Sequence, residues 1–277
     1  MTQRKFAHRA ALFDRPAVLF CPASRASAVE KAKASSADMV ILDLEDAVAD
    51  ADKASARDAA VEATAGDWPM PVGIRINGSG HDCHSADLAA VCGSGADFVV
   101  VPLVSTGELI QSIASKCDQP VAAMVETARG VVNVGEIAEA AAMLIVGTND
   151  LAADLRLPAG VDREGMGHCL ERIVLAARAR GVAAYDGVHN RIDDAEGLEA
   201  ATRHGHRLGF DGKTVIHPSH LETVSRIYAP SEEDIERARA ILAHTENRGG
   251  AINFEGEMVE AMHVASARRL IERAEGR

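Results

Sequence analysis

Aromatic residues are scarce in this sequence: Phe, Trp and Tyr make up 3% of the 277 residues, although hydrophobic residues make up 47%. A core with so few rings has to be built from Ala, Val, Leu and Ile, the residues that fill buried parallel strands and the helices covering them. The composition therefore favours an α/β fold. The length lies within the range of one α/β barrel and forces no division into two large domains.

Long apolar runs are also missing. No stretch approaches the ~18 consecutive apolar residues that a membrane-spanning helix needs, and the N-terminal segment lacks the apolar core of a signal peptide. The five cysteines are odd in number and form no C-x-x-C pair, so we expect five reduced thiols. These absences predict a soluble, cytoplasmic protein.

An excess of positive charge is absent as well. The chain has 29 basic and 41 acidic residues, which gives a formal net charge of −12. Such a chain has no general attraction for nucleic acid or for an anionic membrane, so we expect neither as a partner. A polyanionic ligand would need a locally basic pocket.

What the sequence does contain is a regular alternation of short apolar runs with longer Ala-rich, charged segments, which is typical of successive βα units. Eight runs are followed by loop-forming residues: Ala17–Cys21, Met39–Leu44, Val72–Ile76, Phe98–Pro102, Val121–Val125, Met143–Val146, Val182–Asp186 and Gly209–Val215. They predict a (β/α)8 TIM barrel as the catalytic domain, over residues 1–230. The rival is a doubly wound open sheet, but Asn77–Gly80 lacks the third glycine of a dinucleotide-binding loop.

Residues 231–277 follow the eighth run and predict a C-terminal helical extension. One helix is predicted over Ser231–His244, with Ser231 as its N-cap, and another over Glu257–Ala274. The Arg248–Gly250 stretch between them is interpreted as a hinge. Because a completed barrel offers these helices no position, we expect a lid that covers the site or reaches a neighbouring subunit.

Polar residues that follow the apolar runs are the candidates for function, because barrel enzymes place their sites at the C-terminal ends of the strands. They include Asp186 and His217, and most of them are carboxylates. Such a composition is expected where Mg²⁺ supplies the missing positive charge. Glu126 and Asp150, after the fifth and sixth runs, are predicted to hold that ion. The alternative is that both are ordinary loop acids that cap helices or face solvent.

Arg75 ends the otherwise apolar run Val72–Ile76, and a guanidinium is rarely buried without an anionic partner. Two interpretations remain open. One is a structural ion pair with Glu45 or Asp46, and the other is a clamp on a substrate carboxylate or a developing oxyanion. The two roles are compatible.

Seven segments carry motifs in a consistent order along the chain: Val18–Arg25 (VLFCPASR), Val40–Val48 (VILDLEDAV), Ile74–Asn77 (IRIN), Val125–Gly130 (VETARG), Gly147–Leu155 (GTNDLAADL), Asp186–Val188 (DGV) and Leu208–Pro218 (LGFDGKTVIHP). Together they resemble the citrate lyase β-subunit-like, or malyl-CoA/citramalyl-CoA lyase, branch of the HpcH/HpaI aldolases. The resemblance covers most of the chain.

The resemblance implies a barrel in which Glu126 and Asp150 hold Mg²⁺. It further implies that Arg75 contacts the small oxoacid and its reacting oxygen, while Glu45 and Asp46 support the water molecules of the metal.

Arg25 and Lys53 are the candidate contacts of coenzyme A in the resemblance. The alternative for both is a surface ion pair with Asp50, Asp52 or Asp58.

The segment Glu255–Glu260 (EGEMVE) is similar to a lid motif of the family, which reaches a neighbouring subunit of a trimer and whose last acid exchanges a proton with the acetyl group. Glu260 stands in place of the usual Asp. Two further departures are Asn149, where the family often has Glu, and Leu103, where Lys is frequent. All three bear on the substrate more than on the fold.

The resemblance thus implies a Mg²⁺-dependent carbon–carbon lyase that acts on a malyl- or citramalyl-type acyl-CoA. It would cleave this ester into a 2-oxoacid and acetyl- or propionyl-CoA, or form the ester from them. The expected partners are these small molecules and further copies of the chain, in a homotrimer or a dimer of trimers. Two alternatives stay open: a CoA-free class II 2-oxoacid aldolase, and a non-catalytic barrel subunit of a lyase complex.

Overall fold

The structure is a computed structural model that describes residues 6–158, 163–245 and 251–275. The chain divides into two compact units, Met1–Ile227 and Tyr228–Arg277. The predicted hinge at Arg248–Gly250 lies outside the described residues.

The first unit is a closed barrel of parallel strands, in which each strand pairs with the next in chain order and β8 pairs with β1. The strands are β1 (Ala17–Pro22), β2 (Met39–Asp43), β3 (Val72–Arg75), β4 (Phe98–Val101), β5 (Val121–Val125), β6 (Met143–Val146), β7 (Ala183–Asp186) and β8 (Gly212–Val215). The predicted (β/α)8 barrel is confirmed. The largest difference concerns β8, which starts at Gly212 because Gly209 ends the preceding helix in the left-handed conformation (φ 94°).

Helices connect the strands: α1 (Ala26–Lys33), α2 (Lys53–Thr64), α3 (His84–Cys92), α4 (Gly107–Ala114), α5 (Ala128–Val132), α6 (Val134–Ala140), α7 (Thr148–Asp154), α8 (Gly167–Arg180), α9 (Ala195–Leu208) and, after β8, α10 (Leu221–Tyr228). Short 3-10 helices lie at Arg9–Leu12, Asp50–Asp52, Arg163–Met166 and Pro218–His220. Within the described part of the chain, no helix has the length and apolar character to cross a membrane.

The few aromatic rings of the barrel occupy space that neighbouring glycines leave open. A Cβ at Gly73 would lie 2.3 Å from the ring of Phe98, and one at Gly212 would lie 2.7 Å from the ring of Tyr185. The hydroxyl of Tyr185 donates to the carbonyl of Leu12 at 2.6 Å, which ties the segment before β1 into the barrel. The rest of the core cluster is mostly Ala, Val, Ile and Leu, as the composition predicts, together with Met39, Met124 and Met143.

The second unit contains α11 (Glu232–Thr245), the antiparallel pair β9 (Ile252–Phe254) and β10 (Glu257–Val259), and α12 (Ala261–Glu275). The Ser231 hydroxyl accepts from the N–H of Asp234 at 3.0 Å, and the N–H of Ser231 donates to the Asp234 carboxylate at 3.3 Å, which is a capping box.

The predicted helix over Glu257–Ala274 is wrong at its start, where residues 257–259 form β10. Glu255 (φ 52°) and Gly256 (φ 86°) both have positive φ, the backbone conformation of a two-residue hairpin turn. Sequence periodicity missed this turn because its first residue is a glutamate, which is uncommon in that conformation.

The prediction of five free thiols is also wrong, because Cys92 and Cys117 form a disulfide with a Cα–Cα distance of 4.8 Å. Cys92 ends α3 and Cys117 follows α4, so the bridge joins the connections that lead into β4 and β5. The 25-residue separation resembles no cysteine motif, and the fold alone brings the two residues together. Cys21, Cys83 and Cys169 are free.

We predict that the Cys92–Cys117 bridge stabilises the barrel. Closing a loop of this length restricts the unfolded chain and contributes about 3 kcal/mol, so the double variant Cys92→Ser/Cys117→Ser should lower the free energy of unfolding by roughly that amount in non-reducing urea titrations. Dithiothreitol should destabilise the wild type and the control Cys169→Ser but leave the double variant unchanged. Thiol titration of the unfolded protein should count three thiols before reduction; five before reduction would contradict the bridge.

Candidate active site

A cavity of about 350 Å³ opens at the C-terminal ends of the strands. Its lining includes Asp43, Asp46, Arg75, Glu126 and Asp150. Four residues predicted as site residues from the sequence therefore lie around one space, and Asp43 joins them.

Arg75 ends β3 and is held by Asp43 at the end of β2. The register places the two residues side by side, and the guanidinium donates from Nε and Nη2 to the two Asp43 oxygens at 2.6 Å each. Glu45 Oε2 lies 2.6 Å and Asp46 Oδ2 3.5 Å from Nη1, and the guanidinium carbon lies 4.9 Å from the centre of the Phe20 ring. Arg75 thus contacts both predicted acids and also Asp43, which sequence analysis did not assign as its partner.

Arg75 stays protonated in this site. Burial works against it, but the neighbouring Asp43, Glu45 and Asp46 carboxylates raise the pKa of Arg75 above its ordinary value. The guanidinium therefore stays a cation in a site that is otherwise acidic.

Glu126 directly follows β5 and is almost fully buried. Its Oε1 accepts a hydrogen bond of 2.5 Å from the N–H of Leu103, which has the left-handed backbone conformation (φ 54°). Burial raises the pKa of Glu126 to about 7; the Leu103 N–H and Arg75 oppose this rise, and Asp150 and Asp46 add to it. A buried carboxyl with this pKa gains from a nearby cation.

Asp150 lies in the first turn of α7 and forms a side-chain hydrogen bond with Glu126. Burial and the charge of Asp46 raise the pKa of Asp150, while Arg75 and the Glu126 bond lower it. Two carboxyl groups in this contact need a shared proton or a shared cation between them.

This donor set fits Mg²⁺, which takes one or two protein carboxylates and completes its shell with water and substrate oxygens. Among the residues that the structure describes, no group of three or more His, Cys, Asp or Glu side chains forms a metal site. An ion held by Glu126 and Asp150 would leave room for water and substrate oxygens in its shell.

Gly147, between β6 and α7, allows Glu126 to lie against the backbone. A Cβ at this position would be 2.0 Å from Glu126 Oε2 and 2.5 Å from Glu126 Cβ. The contact with Cβ leaves no rotamer that relieves the clash, so the glycine is part of what positions the carboxylate.

A second cavity, of about 590 Å³, is lined by Glu45, Asp46, Lys53 and Leu103 among others. Asp46 lines both cavities. Burial raises the pKa of Glu45 to about 8, a rise that Arg75 opposes and that Asp46, Glu126 and Asp43 increase.

Lys53 is buried in this region, and its ammonium donates to the carbonyl oxygens of Leu44 and Glu45 at 3.1 and 3.0 Å. It holds the loop after β2, and two of its three N–H donors are used there. Arg25 is exposed as the N-cap residue of α1 and lies outside the lining of the two cavities.

Glu260 belongs to the second unit, between β10 and α12, where its N–H donates to Nδ1 of His263 at 3.0 Å. Its role as an acid or base stays a prediction.

Two strand-end candidates have other surroundings. Asp186 is fully buried between Lys213 (3.0 Å) and Arg163 (2.9 Å), and a Cβ at Gly205 would lie 2.6 Å from it, so it faces α9. His217 is exposed and its ring contacts the Ser219 hydroxyl at 2.7 Å. Position after a strand is therefore not sufficient, because the side chain also has to face the cavity.

Comparisons with known proteins agree with this geometry. The family model of HpcH/HpaI aldolase/citrate lyase matches residues 16–218. A (3S)-malyl-CoA thioesterase of Cereibacter sphaeroides is 40% identical over 97% of this chain and 97% of that protein, and a citrate lyase subunit beta-like protein of Mycobacterium tuberculosis is 38% identical over 94% and 95%. The crystal structure of CitE from M. tuberculosis in complex with magnesium, acetoacetate and coenzyme A has a TM-score of 0.83 and 37% identity, covering 96% of this chain and 99% of that one.

We predict that Gly147→Ala displaces Glu126 and disrupts the carboxyl pair. The variant should lose at least ~10-fold in affinity for a divalent cation, the loss typical when a ligand is no longer held in place, as measured by calorimetric titration with Mg²⁺. Gly135→Ala is the matched control, because nothing lies within 4 Å of a Cβ at that helical position. An unchanged affinity in Gly147→Ala would show that Glu126 needs no such support.

Proposed function

Since the chain belongs to the HpcH/HpaI aldolase/citrate lyase family, we propose that it is a Mg²⁺-dependent lyase of malyl- or citramalyl-type acyl-CoA esters. The proposed products are a 2-oxoacid and acetyl- or propionyl-CoA. The observation that carries the proposal is one cavity in which the cationic Arg75 faces the contacting carboxyl groups of Glu126 and Asp150.

A malyl-type ester presents a carboxylate and a hydroxyl on adjacent atoms, and both need positive charge in the site. When bound, Mg²⁺ supplies a Lewis acid for these oxygens. Glu126 and Asp150 hold the ion in this proposal, and Glu45 and Asp46 orient its water molecules. Arg75 donates to the reacting oxygen and offsets the charge that develops on it.

Cleavage breaks the bond between the hydroxyl-bearing carbon and the carbon next to the thioester. The hydroxyl proton passes to one of the carboxylates that line the cavity, and the C–O bond becomes the carbonyl of the 2-oxoacid. The electron pair of the broken carbon–carbon bond passes to the thioester, which becomes an enolate. The enolate carbon then takes a proton from Glu260, which we place on a neighbouring subunit of a homotrimer. Condensation runs the same steps in reverse.

The coenzyme A phosphates need a basic contact, and Arg25 is the better of the two candidates. Its side chain is exposed, whereas the ammonium of Lys53 is occupied by two carbonyl oxygens.

Hydrolysis of the thioester is a second candidate, favoured by the relative that is named a (3S)-malyl-CoA thioesterase. In that reaction water attacks the thioester carbonyl and the carbon–carbon bond stays intact. The products distinguish the two: the lyase releases a 2-oxoacid and a shorter acyl-CoA, and the hydrolase releases a hydroxy diacid and free thiol.

We predict Mg²⁺-dependent release of a 2-oxoacid from at least one of malyl-, methylmalyl-, citramalyl- and citryl-CoA, measured by mass spectrometry with a parallel assay of free thiol. EDTA and Glu126→Gln should each lower the rate by at least ~10²-fold, because the charge on the reacting oxygens is no longer offset. Glu139→Gln, an exposed acid that pairs with Arg180 at the surface, is the control and should leave the rate unchanged.

Other outcomes of this assay identify the alternatives. Free thiol without oxoacid indicates the thioesterase, and turnover of a free hydroxy-oxoacid in place of the CoA esters indicates the CoA-free aldolase. A wild type that turns over none of these compounds would contradict both reactions and support a non-catalytic subunit.

We predict that Glu260→Gln lowers the lyase rate by roughly 10²-fold, the usual contribution of a positioned acid or base, while Mg²⁺ affinity stays unchanged. In D₂O the wild type should incorporate deuterium into the methyl group of the acetyl-CoA product, and the variant should slow that step. Glu257→Gln in the preceding strand β10 removes only an exposed ion pair with Arg237 and serves as the control. Full activity in Glu260→Gln would exclude this residue as the acid.

A further inference from the structure

Asn149 and Asn190 bind each other through both of their side-chain amides. Asn149 Nδ2 donates to Asn190 Oδ1 at 3.1 Å, and Asn190 Nδ2 donates to Asn149 Oδ1 at 2.6 Å. The first residue lies in the opening turn of α7, immediately before Asp150, and the second lies in the loop after β7. Both line the cavity, so the pair connects two loops at the mouth of the candidate active site.

The opening turn of α7 has no side-chain cap of its own. Its N-cap residue is Gly147, which lacks a side chain that might accept from the free N–H groups of the turn. The turn is instead tied to the loop after β7. Besides the amide pair, the Thr148 hydroxyl donates to the carbonyl of Val188 at 3.4 Å, and a Cβ at Gly187 would lie 2.6 Å from Thr148.

The loop after β7 is itself fixed at its root. The buried Lys213 ammonium donates to the carbonyl of Gly187 and, at 3.0 Å, to Asp186, which Arg163 also binds at 2.9 Å. The near end of the loop is therefore anchored by charge-assisted bonds between β7, β8 and the 3-10 helix Arg163–Met166. Asn190, at the far end, is exposed and forms its hydrogen bonds with Asn149.

We propose that Asn149 and Asn190 are positioning residues, which hold the opening turn of α7 so that the Asp150 carboxylate faces Glu126 and thereby set the affinity for Mg²⁺. This inference rests on the proposed function, in which those two carboxylates hold the ion. Amides suit the task because they supply both donors and acceptors without adding charge to a cavity that Asp43, Asp46 and Asp150 already make acidic. Neither amide is proposed to touch substrate.

The test compares Mg²⁺ binding by calorimetry in the wild type, Asn149→Ala, Asn190→Ala and the double variant. Each single variant should lose about 10-fold in affinity, the lower end of the loss seen when a residue that orients a metal ligand is removed. The double variant should be no weaker than the weaker single variant, because both substitutions remove the same two hydrogen bonds. Arg203→Ala, which breaks an exposed ion pair with Glu199 on α9, is the control and should bind like the wild type.

Kinetic measurements at varied Mg²⁺ concentration distinguish a positioning role from a loss of folded protein. In the variants the Mg²⁺ concentration for half-maximal rate should rise by the same factor as the dissociation constant, while kcat at saturating Mg²⁺ should stay within about threefold of the wild type. A variant that lowers only the melting temperature without Mg²⁺, at unchanged affinity, would make the pair a structural contact and overturn the inference. If the wild type and both alanine variants bind Mg²⁺ equally well, the positioning role is wrong while the proposed metal site stands. If the wild type binds no Mg²⁺, both the positioning role and the proposed metal site are wrong.

Discussion

The bidentate contact between Arg75 and Asp43 is the interaction on which the candidate site depends. Parallel pairing of β2 with β3 sets the two side chains next to each other, and burial makes each indispensable to the other, because either charge left alone would be strongly destabilising. Of the described residues that line the cavity, four are acids and Arg75 is the cation. The guanidinium thus compensates one of these charges, and the carboxyl groups near α7 are left without a basic partner among the lining residues. A single divalent cation would balance the negative charge of these carboxyl groups.

A second buried ion pair serves a different purpose. Asp186 ends β7 and is paired in register with Lys213 near the start of β8. Both lie on the side of the strands that faces the helices, because Tyr185 and Thr214 next to them face the inside. Alternation along a strand decides which of two adjacent polar residues meets the cavity. The outer pair stabilises the loop after β7, and that loop contacts α7. The Arg75 network therefore lines the cavity beside Asp150, and the outer network reaches the opening turn of α7 through the loop after β7.

Much of this was predictable from the sequence. Eight apolar runs separated by helical segments predict the barrel, since only parallel strands buried on both faces tolerate such runs. Glu126 and Asp150 became candidates because each follows an apolar run, and Arg75 because a guanidinium interrupts one. The contact between Arg75 and Asp43 was missed, because the register between two strands cannot be read from one sequence. Asp186 was included among the candidates because the sequence does not show whether a side chain at the end of a strand faces the cavity or the helices. The Cys92–Cys117 pair and the Glu255–Gly256 turn depend on tertiary proximity and on an uncommon backbone conformation, and no local pattern reports either.

The choice between carbon–carbon cleavage and thioester hydrolysis turns on where charge develops relative to Arg75. In cleavage, negative charge grows first on the oxygen of the hydroxyl-bearing carbon, the position that a guanidinium and a metal ion at the base of the cavity would stabilise together. In hydrolysis it grows on the thioester oxygen, farther along the substrate, and an activated water has to stand on the other side of that carbon. Both reactions use the same binding groups, so the position of the ester relative to Arg75 would decide which bond breaks. The loops that follow β4, β6 and β7 line the two cavities through Leu103, Asn149 and Asn190, so they border the space in which the ester would lie.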